Sequence, residues 1–224
     1  MIQKLIWVLL MSPLAIIAQK TTVELETFNE IKVYDAISVN LIRSNQNKAV
    51  ITGDDVNQVA IVNKDGRLKV RMEIDNMLDG KDTKVTIYHS EKLNLIDANE
   101  NATITSEDII DSKYISIRVQ EGAKIALEVK ARKLDVKAVS GGKINVSGTV
   151  PNQDVVVRTG GRYYGEDLKT KQTDVTVFAG GEAFIHSDEF VEANVTAGGT
   201  IEIYGNPENV KEDKTFGGAI VIRK

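Results

Sequence analysis

Few residues in this chain are typed and spaced for chemistry. Two histidines, His89 and His186, and no cysteine are available as soft metal ligands. Neither has an acidic residue four positions after it, as a helical metal motif needs, and His186 before Ser187-Asp188-Glu189 reads as a solvated strand end. Calcium-binding β-rolls repeat Gly-Gly-x-Gly-x-Asp every nine residues, and that period is missing, so no metal and no cofactor is expected. Acid–base work on a polysaccharide needs two carboxyls at a defined separation. Glu166 and Asp167 beside Arg158 and Arg162, with Glu182 and Glu202 further on, supply the types. With charged residues 27% of the chain, such proximity also arises by chance. The aromatic pattern points instead to binding: Tyr164, Phe178 and Phe184 fall at offsets facing away from a core, beside Arg158 and Arg162. Exposed rings stack on sugars or meet partner proteins, although a ring ladder that only stiffens neighbouring strands has the same signature.

These residues are positioned by a repeat. Bends at Asn101-Ala102, Gly122-Ala123, Gly141-Gly142, Gly160-Gly161, Gly180-Gly181, Gly198-Gly199 and Gly217-Gly218 follow one another at steps of 21, 19, 19, 20, 18 and 19 residues. Apolar residues stand five and three positions before every first bend residue but the last, as in Val136 and Ala138 or Val175 and Val177. Others stand three and five positions after it, as in Ile144 and Val146 or Ile201 and Ile203. Spacing of two marks strands with one buried face, and a period near 20 marks a solenoid whose turns bury their faces only by stacking. The expected fold is all-β, a right-handed parallel β-helix of about seven turns. Tyr163 falls at an inward offset and fills space beside Gly165 and Ala183. The first bend position, Asn or Gly in every copy, suggests a left-handed residue, and the second a small one. On that basis Gly160→Val should harm stability more than Gly161→Ala. At the last bend the upstream inward offsets hold Glu212 and Lys214, a polar turn that ends the stack.

Residues 1–18 combine a lone lysine, an apolar run and a small residue before Gln19-Lys20, which reads as a secretory signal peptide cleaved after Ala18. The mature chain would then hold 206 residues (224 less 18), and loss of Lys4 would move the formal charge from -4 to -5. No basic stripe is visible along the chain, so nucleic acid is an unsuitable partner. Without cysteine there is neither a lipidated residue nor a disulfide framework, and no stable membrane anchor is expected once the leader is removed. Residues 19–90 are strand-rich but less regular, with a hairpin turn at Asp65-Gly66 and a loop over Met77-Leu78-Asp79-Gly80-Lys81-Asp82. They should continue into the regular coil of residues 91–224 and close its open edge.

Phe28-Asn-Glu-Ile31-Lys-Val33, Ile37-Ser-Val39-Asn-Leu41, Val50-Ile-Thr-Gly-Asp54-Asp55 and Asp65-Gly-Arg-Leu68-Lys-Val70, followed by Gly-Gly turns, resemble the bacterial head-GIN-domain family of putative auto-transporter adhesins. Most of the mature chain takes part. The resemblance implies a secreted β-helical protein of a kind common in Bacteroidota, with an adhesin-like role and no established catalytic residues. Asn101-Ala102 and the Arg162-Tyr163-Tyr164 segment depart from its pattern. Residues and resemblance together point to an exported, periplasmic or extracellular, non-catalytic recognition protein for carbohydrate or a cell-envelope protein. The alternatives are a polysaccharide-acting β-helix enzyme and a self-associating structural envelope protein, for which a homo-oligomer is the expected form.

Overall fold

Alternation of Ile, Val and Leu with polar residues dictates strands that bury one side, and in the computed structural model those sides face each other across one continuous core. The structure describes residues 20–53, 55–73 and 80–223; the expected leader and the first half of the expected loop at Met77 lie outside them, and the second half of that loop, Gly80–Asp82, is a short 3-10 turn. Each regular turn contributes one strand to each of two parallel sheets. Lys133–Ala138, Asn152–Arg158, Gln172–Phe178 and Phe190–Thr196 stack in one sheet, here the front. Lys124–Lys130, Lys143–Thr149, Arg162–Gly165, Glu182–Ser187 and Thr200–Gly205 stack in the other, the back. The registers place Ile117, Val136, Val155, Val175 and Ala193 in one inward column and Ile125, Ile144, Tyr163, Ala183 and Ile201 in another. Turns aligned in this way put like on like, so every turn fills the same cross-section at a rise of roughly 4.8 Å.

The front-to-back corner is a two-residue turn with both central residues left-handed, the type I′ geometry. Glu121 and Gly122 have φ of 52° and 75°, Ser140 and Gly141 49° and 75°, Thr159 and Gly160 50° and 67°. The same pairing recurs at Glu100-Asn101, Ala179-Gly180, Ala197-Gly198 and Phe216-Gly217. The left-handed requirement therefore spans two residues, one more than the repeat suggested, and the earlier of the two is a non-glycine each time. Corners also bond to one another: Asn101 N–H donates to the Glu121 carbonyl, Gly122 to Ser140, Gly141 to Thr159 and Gly160 to Ala179, at 2.9 to 3.3 Å. The two sheets are thus joined by a hydrogen-bonded ladder along the edge.

An eighth corner lies upstream at Asp35-Ala36, with φ of 59° and 60°. It escapes the glycine pattern because Ala36 stands where Asn or Gly stands elsewhere. Its flanking strands, Glu30–Val33 and Ser38–Arg43, do not begin the stack. They lie between the Arg67–Met72 and Lys84–His89 strands on one side and the Leu95–Ala98 and Thr103–Ser106 strands on the other. Chain order and stacking order therefore differ at this end. Antiparallel Lys20–Glu24 and Lys48–Thr52 cover the edge of the back sheet, and Val59–Lys64 covers that of the front through the Asp65-Gly66 hairpin. At the other end Asn209–Thr215 exposes Glu212 and Lys214, the polar turn expected from the sequence.

Gly160 and Gly161 separate the two demands made by a corner. A Cβ on Gly160 would have nothing within 4 Å, whereas one on Gly161 would press on the backbone carbonyl of Ala138 in the turn below. Conformation is the constraint at the first position, where φ of 67° strains a β-branched residue, and space is the constraint at the second. Gly160→Asn, copying Asn101, should leave the unfolding midpoint nearly unchanged, and Gly161→Ala should cost about 1–3 kcal/mol. Equal midpoints in parallel urea titrations would reject this account of the corner.

Candidate binding groove

Outward residues of the front sheet stack in columns just as inward ones do. Tyr114, Lys133, Asn152, Gln172 and Phe190 form one such column. Two positions further along the strands lie Ser116, Asp135, Asp154, Asp174 and Glu192. Between the two rings the surface dips into an open groove of about 410 Å³. Tyr114 is 56% exposed and Phe190 37%, and four strand steps, about 19 Å, separate them. The groove therefore has an aromatic ring at each end, amides along one side and carboxylates along the other.

Its floor is polar where the neighbouring inward column, Ile117 to Ala193, is apolar. The inward column beneath it reads Ile115, Leu134, Gln153, Thr173 and Val191, so Gln153 and Thr173 replace the expected aliphatics. Both are buried and bonded: Tyr163 Oη donates to Gln153 Oε1 at 2.9 Å and Gln153 Nε2 to Thr173 Oγ1 at 3.0 Å. Thr170 Oγ1 lies 2.9 Å from the same Thr173 hydroxyl. Tyr163 is wholly buried, as its offset implied, and burial pushes its phenol above the usual range, keeping it a donor. A Cβ at Gly165 would meet that ring at 2.5 Å, so this glycine makes room for the tyrosine. A satisfied buried network holds the floor in one arrangement.

Stacking in register sets four carboxylates, Asp135, Asp154, Asp174 and Glu192, one strand apart. Lys133 reaches Asp154 at 2.5 Å and Asp135 at 3.9 Å, and Lys211 reaches Glu192 at 2.8 Å. Asp174 has no ion pair among the described residues. Burial first, then the charges of Glu192 and Asp154, raise its pKa above the ordinary carboxylate value.

The rings and arginines singled out in the sequence fall on two surfaces. Tyr164 and Phe184 stack on the back sheet, centroids 5.3 Å apart and planes 9° from parallel. Arg162 lies on that sheet too and is tied to Glu182 at 2.9 Å. Phe178 and Arg158 are register neighbours on the front sheet, across the corner, with Phe178 43% exposed. A single stripe of three rings therefore does not form, because offsets before and after a bend belong to different faces. Tyr114 and Phe190 lie outside the offsets nearest the bend, and only the register reveals that they share a column. Of the acidic candidates, Glu202 is gripped by Arg223 through two bonds of 2.8 Å and accepts from Tyr204 Oη at 3.1 Å. The Arg223 hydrogen bond holds its carboxyl below the usual range, opposite to what a general acid requires. Asp167 is exposed, and one oxygen of Glu166 is buried without a hydrogen-bond partner. His186 is a partly covered back-sheet residue whose Nε2 lies 3.9 Å from Asp188, so it is less solvated than a frayed strand end.

The profile of a family described as "Putative auto-transporter adhesin, head GIN domain" matches residues 27–207. Among solved structures, a putative adhesin from Bacteroides fragilis NCTC 9343 superposes with a TM-score of 0.83 at 19% identity, covering 92% of this chain and 97% of that one. A putative adhesin from Parabacteroides distasonis ATCC 8503 gives 0.71 at 20% identity, with the same two coverages, 92% and 97%. A putative lipid binding protein from the same strain gives 0.70 at 16%, again covering 92% and 97%. At these identities the likeness is one of fold. No curated protein sequence matches the chain.

The raised pKa of Asp174 has a consequence for stability. A carboxyl whose folded pKa exceeds its unfolded one destabilises the fold when ionised, and the penalty disappears once pH falls below the unfolded value, about 3.9. Asp174→Asn should therefore raise the melting temperature at pH 7, with the gain shrinking to nothing near pH 3. A gain that persists at low pH, or no gain at pH 7, would contradict the assignment.

Proposed function

Because this chain belongs to the head-GIN-domain family of putative auto-transporter adhesins, we propose that it is an exported recognition protein whose front groove binds an extended glycan. The observation that carries this is the aromatic-ended groove with amides and carboxylates between its rings. Sugar rings present apolar C–H faces to aromatics and hydroxyl donors to carboxylates and amide oxygens. Successive pyranoses in an extended chain advance by roughly the rise of one solenoid turn, so each residue meets the outward pair of side chains of one turn. The unmatched Asp174 supports the same reading, since an ionised group that costs stability is retained where it serves binding.

A non-catalytic role is supported by the occupation of Glu202 with Arg223, and export by the leader-like first 18 residues. No helix among the described residues is long and apolar enough to cross a membrane. The interior is filled by side chains such as Phe28, Tyr163 and Met72, so a lipid, the ligand class in the name of one structural neighbour, would have to lie on the outside.

Glycan-array binding by the mature chain tests the groove. Tyr114→Ala with Phe190→Ala should weaken binding about tenfold, two ring contacts of about 0.5–1.5 kcal/mol each. Tyr164→Ala with Phe184→Ala, on the other face, should leave it unchanged. The reverse ranking would move the site to the back sheet, and release of reducing ends from a bound polysaccharide would favour an enzyme.

A further inference from the structure

A second, more enclosed pocket of about 220 Å³ lies where the Ser38–Arg43 and Lys84–His89 strands end against Ile110–Asp111. Arg43 and His89 are register neighbours at its wall. His89 is only 4% exposed and packs beside Phe28, ring centroids 6.4 Å apart. Its Nδ1 lies 2.9 Å from the Glu91 carbonyl, which can only accept, so Nδ1 bears the proton and Nε2 is a bare acceptor. That Nε2 is buried and has no hydrogen-bond partner. Burial lowers the pKa of the ring, which keeps it neutral in ordinary conditions. The Arg43 guanidinium forms no ion pair among the described residues; Asp108, beside it, accepts from the Arg43 backbone N–H at 2.8 Å. Leu93 and Ile110 supply a buried apolar wall.

We infer that this pocket is a binding site for a hydroxy-carboxylate of single-sugar size, a uronic acid residue. A hydroxyl donates to His89 Nε2, the carboxylate takes the Arg43 fork, and the ring C–H groups lie against Leu93 and Ile110. The volume equals that of about seven waters, room for one sugar ring and not two.

A basic saddle adjoins both the pocket and the groove. An adjoining depression of about 450 Å³ shares Lys92 and Asp111 with the pocket and Arg132 with the groove. Lys92 pairs with Asp111 at 2.9 Å, whereas Lys113, Lys130 and Arg132 have no ion pair among the described residues. The cations missing from any linear stripe are thus gathered at the second corner of successive turns. An acidic end residue seated in the pocket, with a neutral chain running over the saddle into the groove, joins both sites; this extension rests on the glycan reading above.

Isothermal titration of the mature chain with sodium glucuronate, glucose and inorganic phosphate tests the pocket by itself. Glucuronate should bind at least about tenfold more tightly than either control. Arg43→Gln, at an exposed residue, should erase the advantage over glucose, and His89→Phe should weaken both sugars. Tyr114→Ala with Phe190→Ala should leave glucuronate binding intact, so loss of the groove reading would not remove this one. Absence of glucuronate binding, phosphate binding as tightly, or indifference to Arg43→Gln would overturn the inference. Should His89→Phe fail to fold, the Arg43→Gln comparison still decides.

Discussion

The alignment of each turn on the one below governs this structure. A lone turn has two short strands and no enclosed interior, so its apolar side chains leave water only when identical positions are superposed. A slip of one residue would turn every buried Val and Ile outward. The paired left-handed residues and the hydrogen bonds between successive corners prevent that slip. They fix where each front strand ends and each back strand begins, and so set the phase of both sheets together.

The same constraint shapes the exterior, with a different sign. Superposition that gathers apolar side chains favourably inside also gathers like charges outside, and Asp135, Asp154, Asp174 and Glu192 meet for that reason. Lys133 pairs with Asp154 and Asp135, and Lys211 with Glu192, which leaves Asp174 facing like charges on both sides. Surface columns are therefore as ordered as core columns, and a repetitive exterior suits a repetitive ligand. The polar floor formed by Gln153, Thr173 and Tyr163 ties that exterior to the interior, because the groove cannot deform without breaking buried hydrogen bonds.

Core columns were legible in the sequence because each inward position repeats a residue class every turn, and Val136, Val155 and Val175 announce their own alignment. The polar terminal turn was equally visible, since Glu212 and Lys214 break that rule. The Asp35-Ala36 corner was hidden: it lacks glycine, and its neighbour at Asn101 is 65 residues away. The groove was hidden for another reason. The outward column of Tyr114, Lys133, Asn152, Gln172 and Phe190 repeats no residue class, so its two rings become partners only once strand register is known. The saddle is harder still to foresee, as Lys92, Lys113 and Lys130 are scattered among acidic residues and meet only at a corner that has no glycine to mark it. Arg158 and Phe178 face outward, as their offsets imply, but the corner between them and Tyr164 sets them on the opposite sheet.

The strands Glu30–Val33 and Ser38–Arg43, made early in the chain, have both of their neighbours still to come. Assembly cannot simply add coils in the order of synthesis. The segment ending near His89 must close back over one side of this early coil, and the segment beginning near Leu95 must then step across it to start on the other. Sequence separations of 37 and 46 residues in the first closure (Glu30 to Arg67, Ser38 to Lys84) and of 65 in the second (Ser38 to Thr103) make both entropically costlier than the 19-residue steps of the later coils. The amino-terminal end thereby carries the largest loop-closure cost in the molecule's topology, and each regular coil adds a smaller, uniform one.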